Sequence, residues 1–185
     1  MDFIEFLKQQ RECYLKQLIE FYRERQSGAK EILLVLDNDE EERIFKLYRL
    51  DHYEQIDGEG RPTELGPNRY TNHPKILFKL GDLSIELNPF YWHGCDFVFE
   101  KEIQNIEWLK LWATKWIDVE DTNPIDANGF SGVIHNVTRP LQTNNGWQFT
   151  VDFGTASEES FNELLRCINE RGIGEVRIGS LEMIQ

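Results

Sequence analysis

At 185 residues, 40% of them apolar and 12% aromatic, the chain is long enough for one domain to bury a core without disulfide or metal staples. It is also too hydrophobic to remain disordered. Thirty-three Asp and Glu against 20 Lys and Arg leave a formal charge of -13. That field repels nucleic acid and anionic membrane surfaces and attracts basic proteins.

Cys13, Cys95 and Cys167 are odd in number and form no CxxC pair, which argues for reduced thiols rather than a disulfide framework. The opening residues are acidic where a signal peptide needs a basic region followed by an apolar one. The longest aliphatic run, Ile32 to Leu36, falls far short of the ~20 residues of a membrane helix. A cytoplasmic protein is expected.

In chain order, residues 2–26 read as an amphipathic helix, with Phe3, Leu7, Tyr14, Leu18 and Phe21 on one stripe. Ser27-Gly28 stops it. Residues 32–36 read as a buried strand, Asp37-Asn38-Asp39 as a turn and 44–53 as a second strand. In that second strand Phe45, Leu47 and Arg49 alternate with Lys46, Tyr48 and Leu50, so either face could point inward. Residues 54–74, rich in Gly, Pro and polar side chains, read as the longest loop. Strands follow at 76–80, 83–87 and 96–100, the first two joined by Gly81-Asp82.

A second helix is expected over 102–117, with Ile106, Leu109, Ala113 and Trp116 on one side and Trp108, Trp112 and Trp116 on a neighbouring ladder. After a loop at 123–132, strands at 133–141 and 147–153 flank Thr143-Asn144-Asn145-Gly146, a hairpin signal whose Asn-Gly pair suits a type I′ turn. Thr155 or Ser157 caps a third helix, with Phe161, Leu164, Leu165 and Ile168 on its buried face. Gly172 ends it, and 175–178 closes the chain as a strand. Strand runs broken by helices, without regular βαβ alternation, indicate a single α+β domain spanning 1–185. It has a mostly antiparallel sheet and N-terminal, central and C-terminal helices.

No GxSxG, HExxH, P-loop or dinucleotide fingerprint occurs. Two acidic segments stand out. Asp37, Asp39, Glu40, Glu41 and Glu42 form the densest charge; a calcium loop begun at Asp37 fails because Glu42 and Tyr48 occupy the positions that need Gly and Glu. Asp118, Glu120, Asp121 and Asp126 follow the Trp-rich helix, where acid opposes the helix dipole. Such carboxylates could hold Mg²⁺, but no Lys or His accompanies them at nuclease spacing. Solvated loops are the commoner use of charge runs; the alternative is contact with a basic partner.

His93 and Cys95 lack the second ligand pair that zinc needs. Cys95 acting as nucleophile with His135 as base is a further conceivable arrangement. The Trp residues are expected in the core, with Trp92, in a turn beside Gly94, the most exposed.

Two stretches carry a resemblance. One is Trp112-Ala113-Thr114-Lys115-Trp116-Ile117-Asp118-Val119-Glu120-Asp121 with Gly129-Phe130-Ser131-Gly132-Val133-Ile134-His135. The other is Val151-Asp152-Phe153-Gly154-Thr155-Ala156 with the helix that carries Phe161, Leu164 and Leu165. Together they cover roughly the C-terminal 45% of the chain and resemble bacterial immunity proteins of polymorphic-toxin and contact-dependent inhibition systems. The resemblance implies a cofactor-free protein that neutralises a cognate, basic toxin domain by binding it, and it carries over no site residues. The contact residues expected from charge are Asp37, Asp39, Glu40, Glu41, Glu42, Asp118, Glu120 and Asp121. Two alternatives remain: an enzyme with an unrecognised carboxylate site, or an assembly subunit that docks through an exposed Phe3–Phe21 stripe.

Overall fold

The structure, a computed structural model, describes residues 3–25, 27–37, 39–66 and 69–180. The expected turn residue Asn38 and the helix-end positions 2 and 26 lie outside them. Three helices, α1 (Phe3–Arg23), α2 (Glu107–Ile117) and α3 (Glu158–Glu170), accompany two sheets. The smaller sheet is an antiparallel meander of β1 (Ala29–Val35), β2 (Leu47–Ile56) and β3 (Glu59–Thr63). The larger contains β4 (Ile76–Leu80), β5 (Leu83–Leu87), β6 (Cys95–Phe99), β7 (Asn136–Val137), β8 (Leu141–Thr143), β9 (Gly146–Asp152) and β10 (Glu175–Gly179). Its order is β4-β5-β10-β6-β9-β7, with β8 also on β9. Every pairing is antiparallel except β5 with β10. The molecule is a single α+β domain, and no helix among the described residues is long and apolar enough to cross a membrane.

The core follows the apolar periodicity. Phe161, Leu164, Leu165 and Ile168 of α3 are all buried, and the Phe161 ring lies 5.0 Å from Phe153, 5.6 Å from Phe97 and 5.8 Å from Phe90. Phe6, Leu7, Tyr14, Leu18 and Phe21 of α1 are buried too. Phe3 packs on Phe78 of β4 and Phe161 of α3, at 4.6 and 6.2 Å between ring centroids. The α1 stripe is therefore spent inside the fold and offers no free docking face. Each such side chain contributes ~1.5–3 kcal/mol of transfer free energy.

Several expectations are corrected by local chemistry. Residues 54–74 are not one loop: β2 runs on to Ile56 and turns at Asp57-Gly58, both with positive φ (53° and 83°), into β3. This is the geometry of a type I′ hairpin, and Pro62 is tolerated because β3 is an edge strand. The segment 44–53 begins as a 3-10 turn, Arg43–Lys46, before β2. The helix expected over 102–117 starts at Glu107, whose N–H is taken by the Asn105 side chain (3.0 Å). Between 133 and 141 only Asn136–Val137 forms a strand before β8, because the His135 carbonyl is drawn across to the Arg49 N–H of β2 (2.7 Å). The 143–146 hairpin forms with Thr143 paired to Gly146. Its positive φ falls on Gly146 (119°) rather than on either Asn, and a Cβ there would stand 2.2 Å from the Phe99 carbonyl oxygen. Trp92 is buried, with Nε1 donating to the Gly154 carbonyl (3.1 Å).

Candidate partner-binding face and the charge cluster behind it

Glu42 and Glu120, from acidic segments about 80 positions apart in sequence, line one groove. The 3-10 turn packs against α2, and Glu42 accepts a hydrogen bond from Lys110, which also bridges Glu107 (2.7 Å). That donation from Lys110 holds the Glu42 carboxyl below its ordinary range. Between turn and helix lies a groove of about 530 Å³ with Ile44, Leu47 and Val119 in its lining and Glu42 and Glu120 among its charged groups. Val35 and Leu36, at the end of β1, and Leu111 of α2 are exposed hydrophobics. Val35 sits opposite Leu47 in the β1–β2 register, so both side chains point to one sheet face. Leu111 precedes Thr114 and Lys115 by three and four residues, on the helix face that borders the groove.

The expected contact residues divide. Asp37, Asp39, Glu40 and Glu42 are exposed, Glu41 is half-buried and Glu120 is exposed on the groove. Asp121 is exposed but accepts from Arg49 Nη1 (3.0 Å). Asp118 is buried and serves the loop instead. It adopts positive φ (52°) after the last turn of α2, and its carboxylate accepts from the Asn123 N–H (2.8 Å) and Thr122 Oγ1 (3.1 Å). Burial opposes ionisation there, but those donors hold its carboxyl below the ordinary value. Asp126 likewise organises its own loop, accepting from the N–H groups of Asn128 (2.7 Å) and Phe130 (3.0 Å). Among the described residues no three His, Cys, Asp or Glu are grouped to hold a metal.

Arg49 anchors the C-terminal end of α2. It is 1% exposed, donating from Nε to the Ile117 carbonyl, from Nη2 to the Asp118 carbonyl (both 2.7 Å) and from Nη1 to the Glu31 carbonyl (2.8 Å). The last carbonyls of a helix have no partner within it and carry its negative end. A guanidinium delivered from β2 satisfies two of them and ties the small sheet to α2. The ambiguous facing of β2 reflects burial on both sides: Leu47 and Arg49 are buried on one face and Leu50 and His52 on the other.

Behind Arg49 lies a cluster that sequence reasoning missed. His135, fully buried, places Nε2 2.9 Å from Glu31 Oε1 and Nδ1 3.1 Å from Asp51 Oδ1, the latter off the line of a hydrogen bond. Asp152 Oδ2 stands 4.0 Å from the same Nδ1. Glu31 also accepts from Thr155 Oγ1 (2.5 Å) and the Ser131 N–H (2.6 Å), and it holds a φ of 49° inside β1. Asp51 accepts from the Leu65 N–H (2.7 Å) and Tyr14 (3.3 Å).

Burial alone would lower the His135 pKa, but Asp51 and Glu31 outweigh it and hold the imidazole well above 6.5, so it is cationic at neutral pH. Burial opposes ionisation of Glu31 and Asp51, and His135 with its companion donors holds both below their ordinary values. Asp152 is pushed up to about 7, by burial first and then by Asp51, against the pull of His135. The cluster draws on β1, β2, β9 and the segment entering β7, so one imidazolium clasps the two sheets together.

This geometry removes Cys95–His135 as a nucleophile–base pair. Both imidazole nitrogens face carboxylates, and burial followed by Asp96 pushes the Cys95 thiol well up. His93 stacks on Tyr14 with centroids 5.4 Å apart. The one hint in sequence was ionisable residues, Glu31 and Asp51, beside apolar strand segments.

Comparison of the chain with protein-family models, with curated proteins and with solved structures finds no match in any of the three.

Proposed function

We propose that this chain is an acidic binding protein that neutralises a cognate toxin domain in the cytoplasm by direct contact, as immunity proteins do. One observation carries the reading: Glu42 and Glu120, one from each acidic segment, line a single groove, and Asp37, Asp39, Glu40 and Asp121 beside them in the chain are exposed. A net charge of -13 accelerates encounter with a basic partner and disfavours acidic ones. Neutralisation then consists of occupying the toxin's surface; no bond is made or broken.

The test is co-expression with any toxin domain found encoded in a neighbouring gene, followed by direct binding of the two purified proteins. Rescue of growth, with an association rate that falls steeply between low and high salt and drops further in Glu42→Lys/Glu120→Lys, supports the reading. Growth arrest that this chain does not relieve, with no complex on size exclusion, refutes it.

A further inference from the structure

Between β3 and β4 the described residues 64–66 and 69–75 form neither helix nor strand and lie along α1 as a strap. Gln10 donates to the Thr71 carbonyl (2.8 Å) and accepts from the Thr71 N–H (3.1 Å), and Gln17 donates to the Arg69 carbonyl (3.1 Å). The Phe6 and His73 rings meet edge-on with centroids 4.6 Å apart, and the Tyr70 and Tyr91 rings at 5.2 Å. The start of the strap is held by Asp51, whose Oδ2 accepts the Leu65 N–H (2.7 Å).

Asp51 has a second link to the same place. Its carboxyl is hydrogen-bonded to that of Glu64, the residue before Leu65. Two ionised carboxylates are acceptors only, so this contact exists only while the pair holds a proton. The surroundings favour keeping one. Asp152 of β9 adds negative charge beside Glu64, and Tyr48 of β2 donates to it. Tyr14 and Tyr22 of α1 face Asp51 as neutral phenols, donating to its Oδ1 (3.3 Å) and its carbonyl (2.7 Å). His135 is the cation facing Asp51 (3.1 Å), but it is shared with Glu31 (2.9 Å). Burial lowers the His93 pKa, so that ring adds no charge at neutral pH. Burial first and then Asp51 push Glu64 up to about 8, against the hydrogen bond from Tyr48.

We infer that one proton shared by Asp51 and Glu64 latches the strap to the body of the fold, and that losing it releases the strap from α1 while the rest of the domain stays folded. Ionisation of Glu64 turns an attraction into repulsion between neighbouring carboxylates, beside the Leu65 N–H that Asp51 holds. The direction follows from linkage. The closed strap binds the proton more tightly than the open one, in which Glu64 is an ordinary solvated carboxyl. Opening therefore becomes easier as pH rises from about 5 and levels off once the closed pair has also ionised. Release bares Gln10 and Gln17 and admits water to Asp51 and His135. The latch is a device of the fold and stands whatever the chain binds.

The test is amide hydrogen exchange of the full chain from pH 5 to pH 8, each rate corrected for the intrinsic pH dependence of exchange. The Leu65 and Thr71 amides should lose at least about tenfold in protection over that range, where a single linked proton gives at most about tenfold per pH unit. The α3 amides should stay better protected by about tenfold or more at every pH, the mark of local opening. Glu64→Gln, whose amide still donates to Asp51 at any pH, should flatten the Leu65 profile; Asp152→Asn should keep its slope. Carboxyl-carbon NMR of the unmutated chain should show the Asp51–Glu64 pair taking up one proton well above the ordinary carboxylate range.

A Leu65 profile that is flat in the unmutated chain, or one whose slope survives in Glu64→Gln, overturns the inference. So does exchange of the strap and α3 at one common rate, which means that the strap opens only with the whole domain. The NMR titration needs no variant: Asp51 and Glu64 both titrating below about 5 leaves no shared proton at neutral pH and overturns the latch even if Glu64→Gln fails to fold.

Discussion

Asp152→Asn should make the protein more stable at alkaline pH and leave it nearly unchanged in acid. The Asp152 carboxyl rises from an ordinary 3.8 to about 7 in the folded state. A folded state that holds the proton more tightly than the unfolded chain gains stability wherever that proton is bound. As pH rises from 4 to 7, the unfolded chain ionises Asp152 while the fold still resists, and stability falls; above 7 the loss is complete. A rise of about three pH units corresponds to about 4 kcal/mol at about 1.4 kcal/mol per unit.

Asn keeps the Oδ1 that accepts the Gly154 N–H (2.8 Å) and removes the charge. Urea unfolding at pH 8 should show the variant more stable by about 2–4 kcal/mol, the lower figure allowing for its lost attraction to the His135 imidazolium. At pH 4 the two curves should nearly coincide. A difference that is the same at both pH values, or a variant less stable at pH 8, would refute the assignment of Asp152 as the strained member of the cluster.

Removing the imidazole has the complementary signature. A group whose folded pKa is raised contributes fully below its unfolded value, near 6.5, and is lost as pH climbs through the folded one. His135→Ala should therefore destabilise by about 3–5 kcal/mol at pH 6, where it leaves buried carboxylates uncompensated, and the alkaline limb of the stability–pH curve should flatten. Arg49→Met should cost about 3–5 kcal/mol in urea melts by stripping the carbonyls of Ile117, Asp118 and Glu31 of their donor, with α2 amides losing exchange protection first. Gly146→Ala should lower stability by more than about 1 kcal/mol, since its Cβ meets the Phe99 backbone and its φ is positive; thermal melting reads this directly.

What was legible in sequence was whatever depends on neighbours along the chain. The α3 stripe, the α1 stripe and the 76–87 hairpin stand where periodicity and turn residues put them, because burying one face of a helix or strand is a repeating local demand. Asp57-Gly58 carried the same kind of signal, and its hairpin lay inside the stretch read as a loop because β3 is short, polar and interrupted by Pro62. Of the expected contact residues, Glu42, Asp118 and Glu120 line one groove, but the Asp118 carboxylate is taken up by its own loop. Nothing in its neighbours reveals that the chain folds back at Thr122 and Asn123 to donate to it.

Composition, periodicity and turn chemistry by themselves determined an acidic α+β domain with three helices and a mostly antiparallel architecture, since each reflects a free-energy preference expressed within a few residues. The tertiary structure decided the rest. It set Glu31 against His135 across 104 positions and Arg49 against Ile117 across 68, and it brought Glu42 and Glu120 to one groove. A buried charge is stable only where its partners come to meet it. Those partners arrive from separate strands, so their meeting depends on sheet order and on how the two sheets stack, which no local pattern encodes.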